Sequence, residues 1–289
     1  MRGVPSWTQR IITTQTILAA AWQILIEDKA LLLLPLASSV CVLLHTGVVA
    51  APAIIEGFTG MPVPDGVPHV GSADVLGLFF LYVTTYGVGV FFNAALALAV
   101  LRKFEGRAAS IGTALSEAVS LLPQIVGWAI VSATVGVFLK GLERRSGIVG
   151  GLVVRMLGLA WSVATFLVVP VLVSQRMGPF DAIKESVQLL RRTWGENILA
   201  GLGFGVLYFF WALPGVFAFV IGAGLVPTHL AAAVLIMAVA VCYFPVLGLV
   251  LSTLSTIFDV VLYRYAKFGS ITPGFGRELL ELSFAAKSP

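Results

Sequence analysis

Cysteine, histidine and charge are scarce in this 289-residue chain, which has two cysteines, three histidines, 18 Lys and Arg and 14 Asp and Glu. Each scarcity closes off a class. Cys41 and Cys242 sit inside apolar runs with no partner at short spacing, so neither a disulfide framework nor a metal knuckle is available. The three histidines are too few for paired haem ligation. His45, His69 and His229 also match no ligand motif with Glu56, Asp65 and Asp74, so no metal or other cofactor is expected. There is no H-E-x-x-H, no phosphate loop of the G-x-x-x-x-G-K-[ST] type and no G-x-S-x-G elbow, so no catalytic residue is expected. An intramembrane protease is also excluded, since His45 is the sole mid-span histidine and Asp259 the sole span aspartate.

What the chain has is apolar length. It is 58% hydrophobic and 11% charged, too little polar surface for a water-soluble globule, where about a quarter of residues are charged. Six segments reach or approach the roughly 20 apolar residues that cross a bilayer: 30–55, 75–101, 123–139, 147–173, 198–225 and 229–263. The third is the shortest, about 24 Å of helix between Pro123 and Lys140, and needs a turn from residues 119–122 or a thinned bilayer.

Lys and Arg are distributed unequally between the connecting segments. Arg2, Arg10 and Lys29 precede the first span, and Arg102, Lys103 and Arg107 separate the second and third. Arg176, Lys184, Arg191 and Arg192 separate the fourth and fifth, and Arg264, Lys267, Arg277 and Lys287 follow the sixth. The positive-inside rule places these fourteen, and both termini, in the cytoplasm. The excess charge of +4 then faces anionic headgroups, and nucleic acid is not an expected partner. The first run is too long for a signal peptide and stays in the mature protein.

Each outward-going span is preceded by a segment of helical period. In 179–194, Pro179 suits a first helical position, and Phe180, Ile183, Val187, Leu190 and Trp194 form one face opposite Asp181, Lys184, Glu185, Gln188, Arg191 and Arg192. Residues 110–122 repeat the design through Ile111, Leu115, Ala118, Val119 and Leu122, and the N-terminal stretch does so through Trp7, Ile11, Leu18, Trp22 and Leu25. Residues 114–122 align with 182–190 at an offset of 68, and Phe92 and Arg102 align with Phe166 and Arg176 at 74. The expected fold is all-α: one polytopic bundle with three helical-hairpin units, about 7–103, 108–177 and 178–268, and a tail at 269–289. The competing reading is chance similarity between short apolar segments.

The stretches Trp22 to Pro35, Phe91 to Leu96, Gly158 to Val173, Ala182 to Glu196 and Val261 to Ala266 resemble a prokaryotic family of integral membrane proteins of unknown function. The resemblance runs from Ser6 to about Phe275. It implies six spans in a cytoplasmic (inner) membrane and carries no activity with it. A looser likeness to membrane domains of glycerophosphodiester phosphodiesterases implies a lipid neighbourhood, without the catalytic domain.

Few polar groups fall inside spans. Asn93 and Asp259, each after a phenylalanine, form a candidate polar membrane site for a headgroup or a cation, against the plainer reading of interhelical hydrogen bonds. Lys140, Glu143, Arg144 and Arg155, with Arg145, form the one basic patch on the outer side. They are a candidate headgroup grip, against simple snorkelling to the interface. Gly147-x-x-x-Gly151 and Gly201-x-x-x-Gly205 are expected to pack helices, and Pro170, Pro214 and Pro245 to kink spans four, five and six. The expected function is non-enzymatic: a transporter or lipid-interacting carrier, or an accessory subunit in contact with membrane proteins or with copies of itself. The alternative is a lipid-modifying enzyme using the outer basic patch.

Overall fold

The computed structural model describes residues 21–59, 75–107, 110–194 and 203–268, and among these the chain is all-helical with no strand. After helical residues 21–27 and a 3₁₀ turn at Lys29–Leu32 come nine helices. They are α1 (Leu33–Thr59), α2 (Val75–Phe104), α3 (Ile111–Ser120), α4 (Leu122–Arg145), α5 (Ile148–Ala164), α6 (Val168–Gln175), α7 (Pro179–Trp194), α8 (Gly203–Leu225) and α9 (Leu230–Phe268). Six stretches are long and apolar enough to cross a membrane: Lys29–Pro52, Phe79–Phe104, Leu122–Arg145, Gly150–Gln175, Tyr208–Leu225 and Leu230–Phe268. The third span is not short. α4 continues past Lys140 to Arg145, 24 residues or about 36 Å, because its terminal basic residues suit a helix C-terminus.

The chain divides into two units, residues 33–189 and residues 1–32 with 190–289. In the first, α2 is the central helix, packed by α1, α3, α4 and α6. Residues 94–101 are buried on every side, which small side chains at Ala94, Ala95, Ala97 and Ala99 permit. Gly87 faces Ala129 and Gly136 faces the Tyr82 hydroxyl, so α4 approaches α2 closely, and Trp128 stacks on Trp161 at 6.1 Å to join α4 to α5.

The fourth span is two helices. The break at Thr165–Leu167 lies just before Pro170, which has no N–H to offer the Phe166 carbonyl. The Leu167 N–H instead donates to the Ser186 hydroxyl at 3.2 Å, tying the break to α7. Pro214 and Pro245 lie within continuous helices, without the break that precedes Pro170. α9 alone runs 39 residues, about 58 Å.

In the second unit α8 and α9 form an antiparallel hairpin. Ala233, Ala240, Leu247, Leu254 and Val261 recur every seven residues on α9 and all are buried, the first three along the part that lies beside α8. Gly215 and Gly222, also seven apart, face that part of α9. A Cβ at Gly215 would stand 2.7 Å from the Tyr243 ring, and one at Gly222 would stand 2.7 Å from Met237 and 3.2 Å from the Ala233 carbonyl oxygen. These glycines do the close packing that Gly147 and Gly151 were expected to do. Nothing lies within 4 Å of a Cβ built on either of the latter, and Gly201 is outside the described residues. Tyr243 Oη donates to the Trp211 carbonyl at 2.5 Å, beside the Phe210 carbonyl that Pro214 leaves without its helical donor.

The two amphipathic helices α3 and α7 bury equivalent positions. Ala114, Ala118 and Leu121 correspond at the 68-residue offset to Ala182, Ser186 and Leu189, and all six are buried. The face expected for α7 is therefore rotated. Ala182, Ser186, Leu189 and Leu190 meet protein, while Phe180 is 65% exposed and Ile183 and Val187 are half-buried beside it. α7 has three sides rather than two: small residues toward protein, large apolar ones suited to lipid, and Asp181, Lys184, Gln188 and Arg191 exposed.

Candidate functional site

Polar side chains that make specific contacts gather at one end of the first unit, where α2, α3 and α6 meet. Arg102 lies in the last turn of α2, Glu117 on the second turn of α3, and Arg176 ends α6 in the left-handed conformation (φ 54°). Such a conformation costs a non-glycine residue about 1–2 kcal/mol. Glu117 serves both arginines: Arg102 Nη1 donates to Oε2 at 2.9 Å and Arg176 Nη2 to Oε1 at 3.2 Å. Glu117 and Arg102 are each about a quarter exposed, Arg176 more than half.

The residues that align with these in the sequence make different contacts. Glu185 corresponds to Glu117 and Arg176 to Arg102, yet Glu185 accepts from Gln175 Nε2 at 3.4 Å while Arg176 turns to Glu117. Reading the sequence located these residues in cytoplasmic segments without singling them out, because charges near span ends are common. The missed signal was the alignment itself, which places an Arg ten residues after a Phe and a Glu inside the following helix, twice.

The residues singled out for a polar membrane site fall in separate units. Asn93 is exposed on α2, immediately before the enclosed stretch 94–101. Asp259 is partly buried on α9, and its Oδ1 is buried without a hydrogen-bond partner among the described residues. It sits in a stripe with Ser252, Thr256 and the fully buried Tyr263, spaced four, three and four residues. The Thr256 hydroxyl donates to the Ser252 carbonyl at 3.1 Å.

In the outer patch, Arg155 Nε meets Glu143 Oε1 at 3.3 Å, linking α5 to α4. The two side chains are 77% and 47% exposed, and Lys140 and Arg144 are exposed as well. That surface is spread out, whereas a lipid-modifying site needs its groups gathered in one cleft.

His45 is engaged within the bilayer-length part of α1. The Thr84 hydroxyl donates to a backbone carbonyl of its own helix, Phe80 at 2.8 Å or Leu81 at 3.1 Å. Thr84 therefore accepts from His45 at 2.8 Å, which puts a proton on Nε2 and pins α1 to α2. His229 is exposed, and His69, Asp65 and Asp74 lie outside the described residues. Among the described residues no three His, Cys, Asp or Glu side chains come together as metal ligands would.

A family of unknown function, DUF6159, matches residues 72–274. The chain belongs to that family. Six apolar helices of spanning length are consistent with a membrane protein, and the family brings no activity with it. No curated protein and no solved structure matches the chain, so the expected likeness to glycerophosphodiester phosphodiesterase membrane domains is unsupported. The matched region takes in Asn93, Glu117, Arg155, Arg176 and Asp259 and excludes α1.

Proposed function

We propose that this DUF6159 chain is a non-enzymatic multi-pass protein of a prokaryotic cytoplasmic membrane, with both termini in the cytoplasm, whose working surface faces lipid. It acts as a lipid-interacting carrier or as the lipid-contacting accessory subunit of a membrane assembly. One observation carries the reading. Large apolar side chains stand exposed along α1, α8 and α9, including Leu43, Val48, Phe209, Phe217, Leu235 and Val239, and the sole carboxylate in those helices whose side chain is described is Asp259. In water such a surface would aggregate; in a bilayer it is solvated.

The experiment is extraction of the full chain in native nanodiscs, followed by cryo-EM and lipid and protein analysis of the particle. Ordered lipid beside Asn93 or Asp259 supports the carrier, and a stoichiometric membrane protein supports the accessory subunit. A particle with neither overturns the reading. Orientation has its own test in a background lacking Cys41 and Cys242. Arg144→Cys is expected to react with an impermeant maleimide in intact cells, and Lys184→Cys only after permeabilisation.

The second reading, a lipid-modifying enzyme at the outer face, has the Glu143–Arg155 pair in its favour. It requires that Glu143→Gln abolish turnover of a lipid substrate while leaving folding intact.

A further inference from the structure

We propose that Arg102 and Arg176 form a binding site for the phosphate of an anionic phospholipid, at the opposite end of the spans from the Lys140–Arg155 patch. This deepens the lipid-interacting reading and rests on it. Two guanidinium groups share one carboxylate, each taking a different oxygen of Glu117, so among the described residues one positive charge stays unmatched. Arg102 Nε is buried with no acceptor among the described residues. The next carboxylate, Glu185, is engaged with Gln175. Arg107 pairs with Glu105, and Lys184 lies 3.3 Å from Asp181.

Depth supplies the second part. Arg102 lies in the last turn of the second span, and Arg176 immediately follows the fourth. Val119 and Leu122, at the junction of α3 and α4, and Phe180, at the start of α7, are exposed large apolar groups close in sequence to Glu117 and Arg176. A surface where lipid-facing side chains give way to arginines is the level of the headgroups. Two guanidiniums brought together by one carboxylate present paired N–H donors, the geometry that suits a phosphate better than a point charge does. A headgroup bearing its own cation would meet the unmatched arginine with repulsion, so the site selects phospholipids with net negative charge.

The test uses the full chain reconstituted into vesicles of equimolar phosphatidylglycerol and phosphatidylcholine, then re-extracted and read by native mass spectrometry. The wild type is expected to carry phosphatidylglycerol in excess, and Arg176→Gln to lower that excess about fivefold, as expected for one interfacial basic residue. Glu117→Gln is expected to raise it, because the competing carboxylate charge is gone. A merely structural role for the cluster would instead make both variants lose lipid. Lys184→Gln, outside the cluster, should match the wild type. The site is overturned if the wild type carries both lipids without preference, or if Arg176→Gln keeps the full excess. It is also overturned as a lipid site if inorganic phosphate displaces all the bound phosphatidylglycerol. A wild type that carries no lipid of either kind overturns the lipid-facing reading together with the site.

Discussion

α2 and α9 both have the length and composition of membrane spans, yet they use their apolar residues in opposite ways. Of the apolar stretch of α2, 44% is buried, against 11% in α9, although α9 is the more apolar helix. Where α2 is enclosed, at residues 94–101, half of the residues are alanine, and where α9 is exposed it presents valines and leucines. Lipid is as apolar as any protein interior, so hydrophobicity does not decide which side of a span faces inward. Side-chain size contributes, since small residues allow the close approach that brings dispersion, but it is not the whole account, because α9 also buries Ile257, Phe258, Leu262 and Tyr263 near its C-terminal end.

The sharpest way to break this contrast is to enlarge α2. Ala97→Leu should destabilise the protein by about 1–3 kcal/mol through overpacking, seen as a lower Tm in detergent, whereas Leu235→Ala on the exposed side of α9 should shift Tm little. Equal shifts would mean that α2 is not enclosed. A comparable loss is expected from Gly222→Val, whose Cβ meets both Met237 and the Ala233 backbone, and almost none from Gly151→Val, where space is open. Retained stability in Gly222→Val would place the α8–α9 seam elsewhere.

A smaller effect is expected at the polar end of α2. Glu117→Gln removes both arginine pairings, and with Arg176 largely solvated the loss should be about 1 kcal/mol by denaturant titration. A loss of several kcal/mol would show a pairing more buried than this one. Least of all, Arg155→Ala should change stability by less than about 0.5 kcal/mol, because the Glu143–Arg155 pair is exposed.

Much of this fold was legible in the chain. All six spans fall close to the segments picked out by apolar length, since the cost of leaving backbone groups unpaired in lipid imposes helices about 20 residues long. α7 begins at Pro179, as its missing N–H suggests. The rotation of α7 was not legible, because period identifies an apolar arc but cannot divide it between lipid and protein; Ser186, polar and fully buried, reverses the naive assignment by capping the break at Leu167. The expected bend at Pro170 takes the form of a helix break at Thr165–Leu167, where the Leu167 N–H donates to a hydroxyl on another helix. Of the candidate site, Asn93 and Asp259 were visible as intramembrane polar groups, whereas the Arg102–Glu117–Arg176 cluster joins residues up to 74 positions apart and needed the packing of α2 against α6 to be seen.

By itself the sequence determined how many apolar stretches are long enough to cross a membrane, roughly where each lies, and the periodic design of its amphipathic helices. These follow from local composition and from the obligation to satisfy every backbone group within a segment. Tertiary structure alone decided which apolar face meets protein, which glycines form the seams and which charges meet at Glu117. Those outcomes depend on side-chain size and reach across helices distant in sequence, and no local pattern encodes them.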